Sequence, residues 1–141
     1  MKFLFAWLAY AAMNHDRLFR IPTSVLQDTN VDESALQRSI EDLGPKPLND
    51  GLSVDDEGRL FITDVEHQDI MARDPDGTLR TVIRDERIRW ADGLSFGPDG
   101  WLYLADSAIP EIVLQSAAHH KAVAPFTIWR FKPGSTAALG Q

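Results

Sequence analysis

An all-β chain assembled from repeated four-stranded units is what this sequence predicts, on three observations. The first is a stretch that occurs twice: residues 50–64 read DGLSVDDEGRLFITD and residues 92–106 read DGLSFGPDGWLYLAD. The pairs Asp50/Asp92, Gly51/Gly93, Leu52/Leu94, Ser53/Ser95, Gly58/Gly100, Leu60/Leu102 and Asp64/Asp106 are identical at an offset of 42 residues. The second is a strand-like segment that alternates and stops at a proline, RLFRIP at 17–22, IMARDP at 70–75 and IWRFKP at 128–133, with Arg20, Arg73 and Arg130 at like positions. The third is a set of tight turns in which glycine follows an acidic residue, at Gly58, Gly77 and Gly100; such hairpins need a positive φ. A period near 42 residues with several strands per unit marks a β-propeller blade. The fold class is therefore a partial β-propeller of about two and a half four-stranded blades.

Residues 1–49 read as the end of a preceding blade. The opening MKFLFAWLAYAA has two readings. With Ala9-Tyr10-Ala11 it imitates a signal peptide and its cleavage site, which implies a secreted or periplasmic chain. As a strand from Phe3 to Tyr10 leading to the turn Asn14-His15-Asp16, it implies a cytoplasmic one. In residues 23–47, a short helix from Asp32 through Leu43 and an outer strand are both compatible with the pattern. Residues 50–91 form one complete blade: strand A at 51–55, B at 59–64, C at 69–73 and D at 78–83. Residues 92–133 form a third, with A at 93–97, B at 101–106 and C delayed to 127–132 by an inserted loop, 107–126. Residues 134–141 are a tail. Four closed blades would need roughly 170 residues, more than the 141 present. The chain is therefore a fragment of a ring or closes by pairing with another chain.

Net charge is −7, and no basic cluster occurs, which removes the electrostatic basis for nucleic-acid binding. No apolar run reaches the 18 or more residues of a membrane-spanning helix. Without cysteine, disulfides and thiolate metal sites are excluded. Composition otherwise matches an ordinary globular protein.

In a propeller, strand A lines the central channel, and the residues just before it stand at the channel mouth. Here these are Leu48-Asn49-Asp50 and Trp90-Ala91-Asp92. Asp50 and Asp92, from neighbouring blades, are candidate ligands for a divalent cation, calcium or zinc, since converging carboxylate and amide oxygens suit a hard cation. The alternative role for both is architectural, a short acceptor bonding backbone N–H groups at the turn. Asn49 and Trp90 differ between the two copies and are candidates for specificity, Trp90 alternatively for packing. Glu66 and His67, in the loop after strand B, are candidate ligand contacts. Asp64 and Asp106 cap that loop, His119-His120 reads as a solvated pair, and Asp55-Asp56-Glu57 as a soluble hairpin. No nucleophile elbow, phosphate loop, H-E-x-x-H or dinucleotide fingerprint occurs.

At LNDGLSVDDEGRLFITDVEH, at RIRWADGLSFGPDGWLYLADS and along FLFAWLAYAAMNHDRLFRIPTSVL, the chain resembles the royal jelly and yellow protein family. That family is similar to the six-bladed propellers that include gluconolactonase and regucalcin. The resemblance implies a six-bladed ring of which roughly the second half, or a middle portion, is present here. It also implies a channel cation held at positions matching Asp50 and Asp92, and an Asn49 placed like a substrate-contacting residue. An early-blade glutamate ligand of those relatives has no counterpart. Some yellow-branch members bind small amines in the channel. Three functions follow as expectations: small-ligand binding in the channel of the full ring, metal-dependent lactone hydrolysis with a channel carboxylate as base, or a non-catalytic interaction domain that recruits a partner strand through exposed blade edges, which are also open to self-association.

Overall fold

The computed structural model describes residues 6–138. Within them, ten strands form three antiparallel sheets, each a simple meander. The first joins β1 (Trp7–Tyr10), β2 (Arg17–Pro22) and β3 (Glu41–Pro45). The second orders β4 (Leu52–Val54), β5 (Leu60–Asp64), β6 (Asp69–Arg73) and β7 (Leu79–Arg84). The third joins β8 (Ala91–Phe96), β9 (Leu102–Asp106) and β10 (Thr127–Phe131). This is a partial propeller: one complete blade flanked by two three-stranded sheets.

The strands of the middle blade fall within a residue or two of the expected limits. The third sheet starts two residues early, at Ala91, because a register shift between Ala91 and Gly93 lets the lead-in pair with β9. Between β2 and β3 both expected alternatives occur in succession. A short helix α1 (Thr23–Gln27) is followed by α2 (Glu33–Arg38), whose first turn is capped by Asp32 accepting from the Ala35 N–H at 2.7 Å, and then by strand β3. Of the strand expected from Phe3 to Tyr10, Trp7–Tyr10 is observed, and residues 3–5 lie outside the described residues, as do residues 139–141 of the expected tail. Gly58, Gly77 and Gly100 have φ of +81°, +94° and +71°, as their turns require.

The core consists of two sheet-to-sheet interfaces that meet at β5, every residue of which is buried. Side chains alternate across a strand. Leu60 and Ile62 therefore face the first sheet, with Leu18, Ala9 and Ala11. Phe61 faces the third, packing with Leu102 and Phe96, its ring edge-on to Phe96 and Phe131 at 5.8 and 6.4 Å. Ile70, Ile88, Ala91 and Leu104 extend the second interface. At its inner end Gly51 touches the third sheet so closely that a Cβ there would lie 2.9 Å from the Asp92 carbonyl oxygen.

The pairing corrects one equivalence. Arg20 pairs with Ala9 and Arg130 with Tyr103, but Arg73 pairs with Leu60, one position out of step. A one-residue slip turns a side chain to the other face. Arg73 accordingly points at the first sheet and donates to the Leu43 carbonyl at 3.1 and 2.6 Å.

The hairpin Asp55-Asp56-Glu57 is more than a solvated turn. Asp55 is buried, accepts from the Glu57 and Arg59 N–H groups and receives the Ser135 hydroxyl at 2.6 Å. Asp56 accepts from Thr136 N–H and Oγ1 at 3.2 and 2.8 Å, and Asp55 bridges to Ala137. The segment after β10 thus docks on the edge of β4 that β5 leaves free.

Candidate functional site at the blade lead-ins

The lead-in to β4 is fixed by the end of β5. Val65 N–H donates to the Leu48 carbonyl and Thr63 N–H to the Gly51 carbonyl, both at 3.1 Å. The Thr63 hydroxyl accepts from the N–H groups of Asp50 and Gly51 at 3.1 and 2.9 Å. In the third sheet Ala105 occupies the position of Thr63 and has no hydroxyl. There Asp106 takes over, accepting from the N–H groups of Trp90 and Ala108 at 2.9 and 3.3 Å. The architectural work at the turn falls to Thr63 and Asp106, which leaves the carboxylates of Asp50 and Asp92 free of it.

Asp50 is half-buried, and its Oδ2 accepts from the Trp90 indole Nε1–H at 2.9 Å. Trp90 therefore ties the lead-in of the third sheet to that of the middle blade. Asp92 is exposed, and its carboxylate has no partner among the described residues. The contact between Gly51 and the Asp92 carbonyl puts the two lead-ins side by side. Asn49 is 3% exposed; its Nδ2 donates to the Gly51 carbonyl at 3.2 Å, while Oδ1 is buried without a hydrogen-bond partner. These four residues were expected together, and the structure brings their backbones together.

Glu66 and His67 lie in the loop between β5 and β6, joined to Asp64, which was expected chiefly as a cap. Buried Asp64 does cap the loop, Oδ1 accepting from the Glu66 and His67 N–H groups at 3.1 Å each. Its Oδ2 also lies 2.9 Å from His67 Nδ1. Ligand atoms of Asp64, Glu66 and His67 all fall within 4.8 Å of one another, the one such trio of histidine and acidic groups among the described residues. Neither Asp50 nor Asp92 belongs to it.

The hydrogen bond to Asp64, reinforced by that group's negative charge, raises the His67 imidazole above 6.5. A raised folded-state value means that protonation favours the native loop. The stabilisation is fully present below 6.5 and is lost as pH climbs through the higher native value. NMR titration of His67 is expected to give a midpoint above 6.5 that returns towards 6.5 in Asp64→Asn. An unmoved midpoint in that variant contradicts the contact.

The insertion is tied down from the lead-in side. Arg89 donates to Asp106 Oδ2 at 3.3 Å and to the carbonyls of Val123 and Pro125 at 2.7 and 3.0 Å. Within the insertion lies helix α3 (Ala117–Ala122). His119 pairs with Glu111 at 2.8 Å and His120 with the Ile112 carbonyl at 2.9 Å. The two histidines are thus separately engaged rather than simply solvated. A cleft of about 500 Å³, lined by Trp7, Arg20, Val54, Asp55, Pro75 and Ala138, opens at the other end of β4, away from Asp50.

Sequence reasoning missed Thr63 and the Ser135–Asp55 contact. A hydroxyl one position before the repeated Asp64 was the available signal for the first. The second joins residues 80 apart and leaves no local trace.

No curated protein matches the chain. Among solved structures, a gluconolactonase from Xanthomonas campestris, described as important in glucose secondary metabolic pathways, is similar with a TM-score of 0.62 at 15% identity. The likeness covers 92% of this chain but 41% of that one, so the chain spans about two fifths of the relative's length. At this identity the likeness establishes the propeller fold alone. The family profile described as major royal jelly protein matches residues 4–122, from before β1 through α3, and the chain belongs to the major royal jelly protein family.

Proposed function

We propose that the chain forms part of the channel wall of a six-bladed ring and binds a small ligand there, at the lead-ins to β4 and β8. The observation that carries this reading is Asn49, whose buried Oδ1 lacks a donor. An orphaned buried oxygen costs roughly 1–3 kcal/mol, and such a group calls for a partner from outside the chain, a water, an ion or a ligand. Trp90 holds Asp50 in one orientation and offers an apolar ring edge. Asp92 stands exposed and unpaired beside them. Glu66 and His67 contribute from the neighbouring loop.

The donor set also fits a divalent cation. Asn49 Oδ1, the Asp92 carboxylate and the oxygen of Asp50 that Trp90 leaves free are all hard oxygens, which suits calcium; zinc favours nitrogen and sulfur ligands. When bound, such a cation supplies Lewis acidity to a ligand carbonyl. Lactone hydrolysis is the second reading, favoured by the Asp64–His67 pair, in which a buried carboxylate orients an exposed imidazole. His67 would then take up a proton from water.

Calorimetric titration of Ca²⁺ and Zn²⁺ into the chain tests the site. The expected result is saturable Ca²⁺ binding, stronger than Zn²⁺ and weakened about tenfold or more in Asp92→Ala. No saturable heat with either ion in the wild type contradicts the cation reading and with it the hydrolase.

A further inference from the structure

The aspartate that ends β5 recurs at the end of β9, yet the two carboxylates are used differently. In the middle blade Asp64 keeps both oxygens within its own short loop, on the Glu66 and His67 N–H groups and the His67 ring. In the third sheet the Asp106 side chain is wholly buried. It gives Oδ1 to the Trp90 and Ala108 N–H groups and Oδ2 to Arg89. At the position of Arg89 in the earlier copy stands Pro47. The guanidinium is therefore particular to the sheet that carries the insertion.

Arg89 ties the two roots of that insertion together. Its remaining nitrogens donate to the Val123 and Pro125 carbonyls at 2.7 and 3.0 Å, and it lies over the Phe126 ring at 5.5 Å. One side chain thus joins the end of the insertion to Asp106, which holds its beginning at Ala108. Ala108 is buried with φ of +47°, a conformation that alanine rarely adopts, and the bond to Asp106 keeps it there. Between the roots, His119 on Glu111 and His120 on the Ile112 carbonyl brace the insertion internally.

The same chain of bonds reaches the channel mouth. Trp90 is held at its N–H by Asp106 at 2.9 Å and at its carbonyl by the Ser107 N–H at 3.0 Å. Its indole Nε1–H bonds Asp50 at 2.9 Å. We infer that Arg89 is the positioning residue of the lead-in site. By pairing with Asp106 it holds Trp90, and with it the Asp50 carboxylate, in one orientation, and it makes that orientation depend on a docked insertion. Without the guanidinium, Asp106 Oδ2 is left buried without its cation, which is costly. Turning the carboxylate towards water relieves that cost and loosens Trp90. Coupling between sites is reciprocal, so a ligand that orders the lead-ins also steadies the insertion. The inference rests on the lead-ins being a binding site, but its first half, from Arg89 to the Trp90 indole, is read without any ligand.

Hydrogen exchange measured by NMR on the full chain tests it, first without and then with Ca²⁺. In Arg89→Gln the Trp90 Nε1–H and the amides of α3 should exchange about tenfold faster or more than in wild type, with the circular dichroism unchanged. Ca²⁺ binding should weaken about tenfold in the same variant. Arg87→Gln, which loses only an exposed pair with Asp85, should change none of these. Arg89→Lys keeps the charge but cannot span a carboxylate and two carbonyls at once. It should restore part of the protection, and it carries the test if Arg89→Gln does not fold. Faster exchange confined to the insertion, with Trp90 as in wild type, overturns the inference, since Arg89 then only anchors a loop. Unchanged Ca²⁺ affinity in Arg89→Gln overturns it too. A wild type that binds no Ca²⁺ contradicts the cation reading instead, and Trp90 exchange then decides alone: faster in Arg89→Gln supports the inference, unchanged overturns it.

Discussion

Phe61→Ala is expected to remove about 3–5 kcal/mol of stability. The side chain is fully buried at the centre of β5 and meets Phe96 and Phe131 edge-on. The hole lies between two sheets, each already stiffened by its own ladder, so collapse around it is limited. A domain of this size has roughly 5–15 kcal/mol in total, so the variant should be largely unfolded or have its urea midpoint roughly halved. Phe126, exposed in the insertion beside Arg89, is the control; Phe126→Ala should shift the midpoint little. A loss below about 1 kcal/mol for Phe61→Ala contradicts the stacking of the middle and third sheets.

Gly51→Ala and Gly93→Ala should part company although the two glycines are repeat partners. In a strand, alanine restricts the unfolded chain and by that effect alone stabilises by about 0.4–1 kcal/mol. At position 51 the new Cβ would sit 2.9 Å from the Asp92 oxygen and 3.3 Å from the Gly93 carbonyl carbon, both backbone atoms of the next sheet. The sheets must separate, at a cost of about 1–3 kcal/mol. At position 93 nothing is met, and stability measured at high dilution should hold or rise slightly. Thermal unfolding of both variants decides it; equal losses contradict the inter-sheet contact at Gly51.

The strands of the middle blade were legible because period, turn glycines and alternation all agreed there. The slip that sets Arg73 apart from Arg20 and Arg130 was not, since a shared Arg and a following proline look the same in either register, and only the cross-strand partners separate them. The candidate site was legible to the same depth. Asn49, Asp50, Trp90 and Asp92 stand out as the residues preceding strand A. That Trp90 bonds Asp50 across 40 residues depends on how closely the sheets stack, which Gly51 controls and no local pattern encodes. Thr63 escaped notice because its counterpart Ala105 lacks the hydroxyl, and the third sheet holds its lead-in at a different point, the Trp90 N–H, through Asp106. Asp55 looked like a solvated turn because the residues that bury it follow β10.

Heteronuclear NMR of the Trp90 indole Nε1–H and the Asn49 side-chain amide during a Ca²⁺ titration tests the two-blade site most directly, with Trp90→Phe identifying the indole resonance. Both signals are expected to move together to one saturation point, and both to stop moving in Asp92→Ala. Signals that stay fixed while Ca²⁺ binds, or a response confined to His67, would contradict a site built from the lead-ins of successive blades.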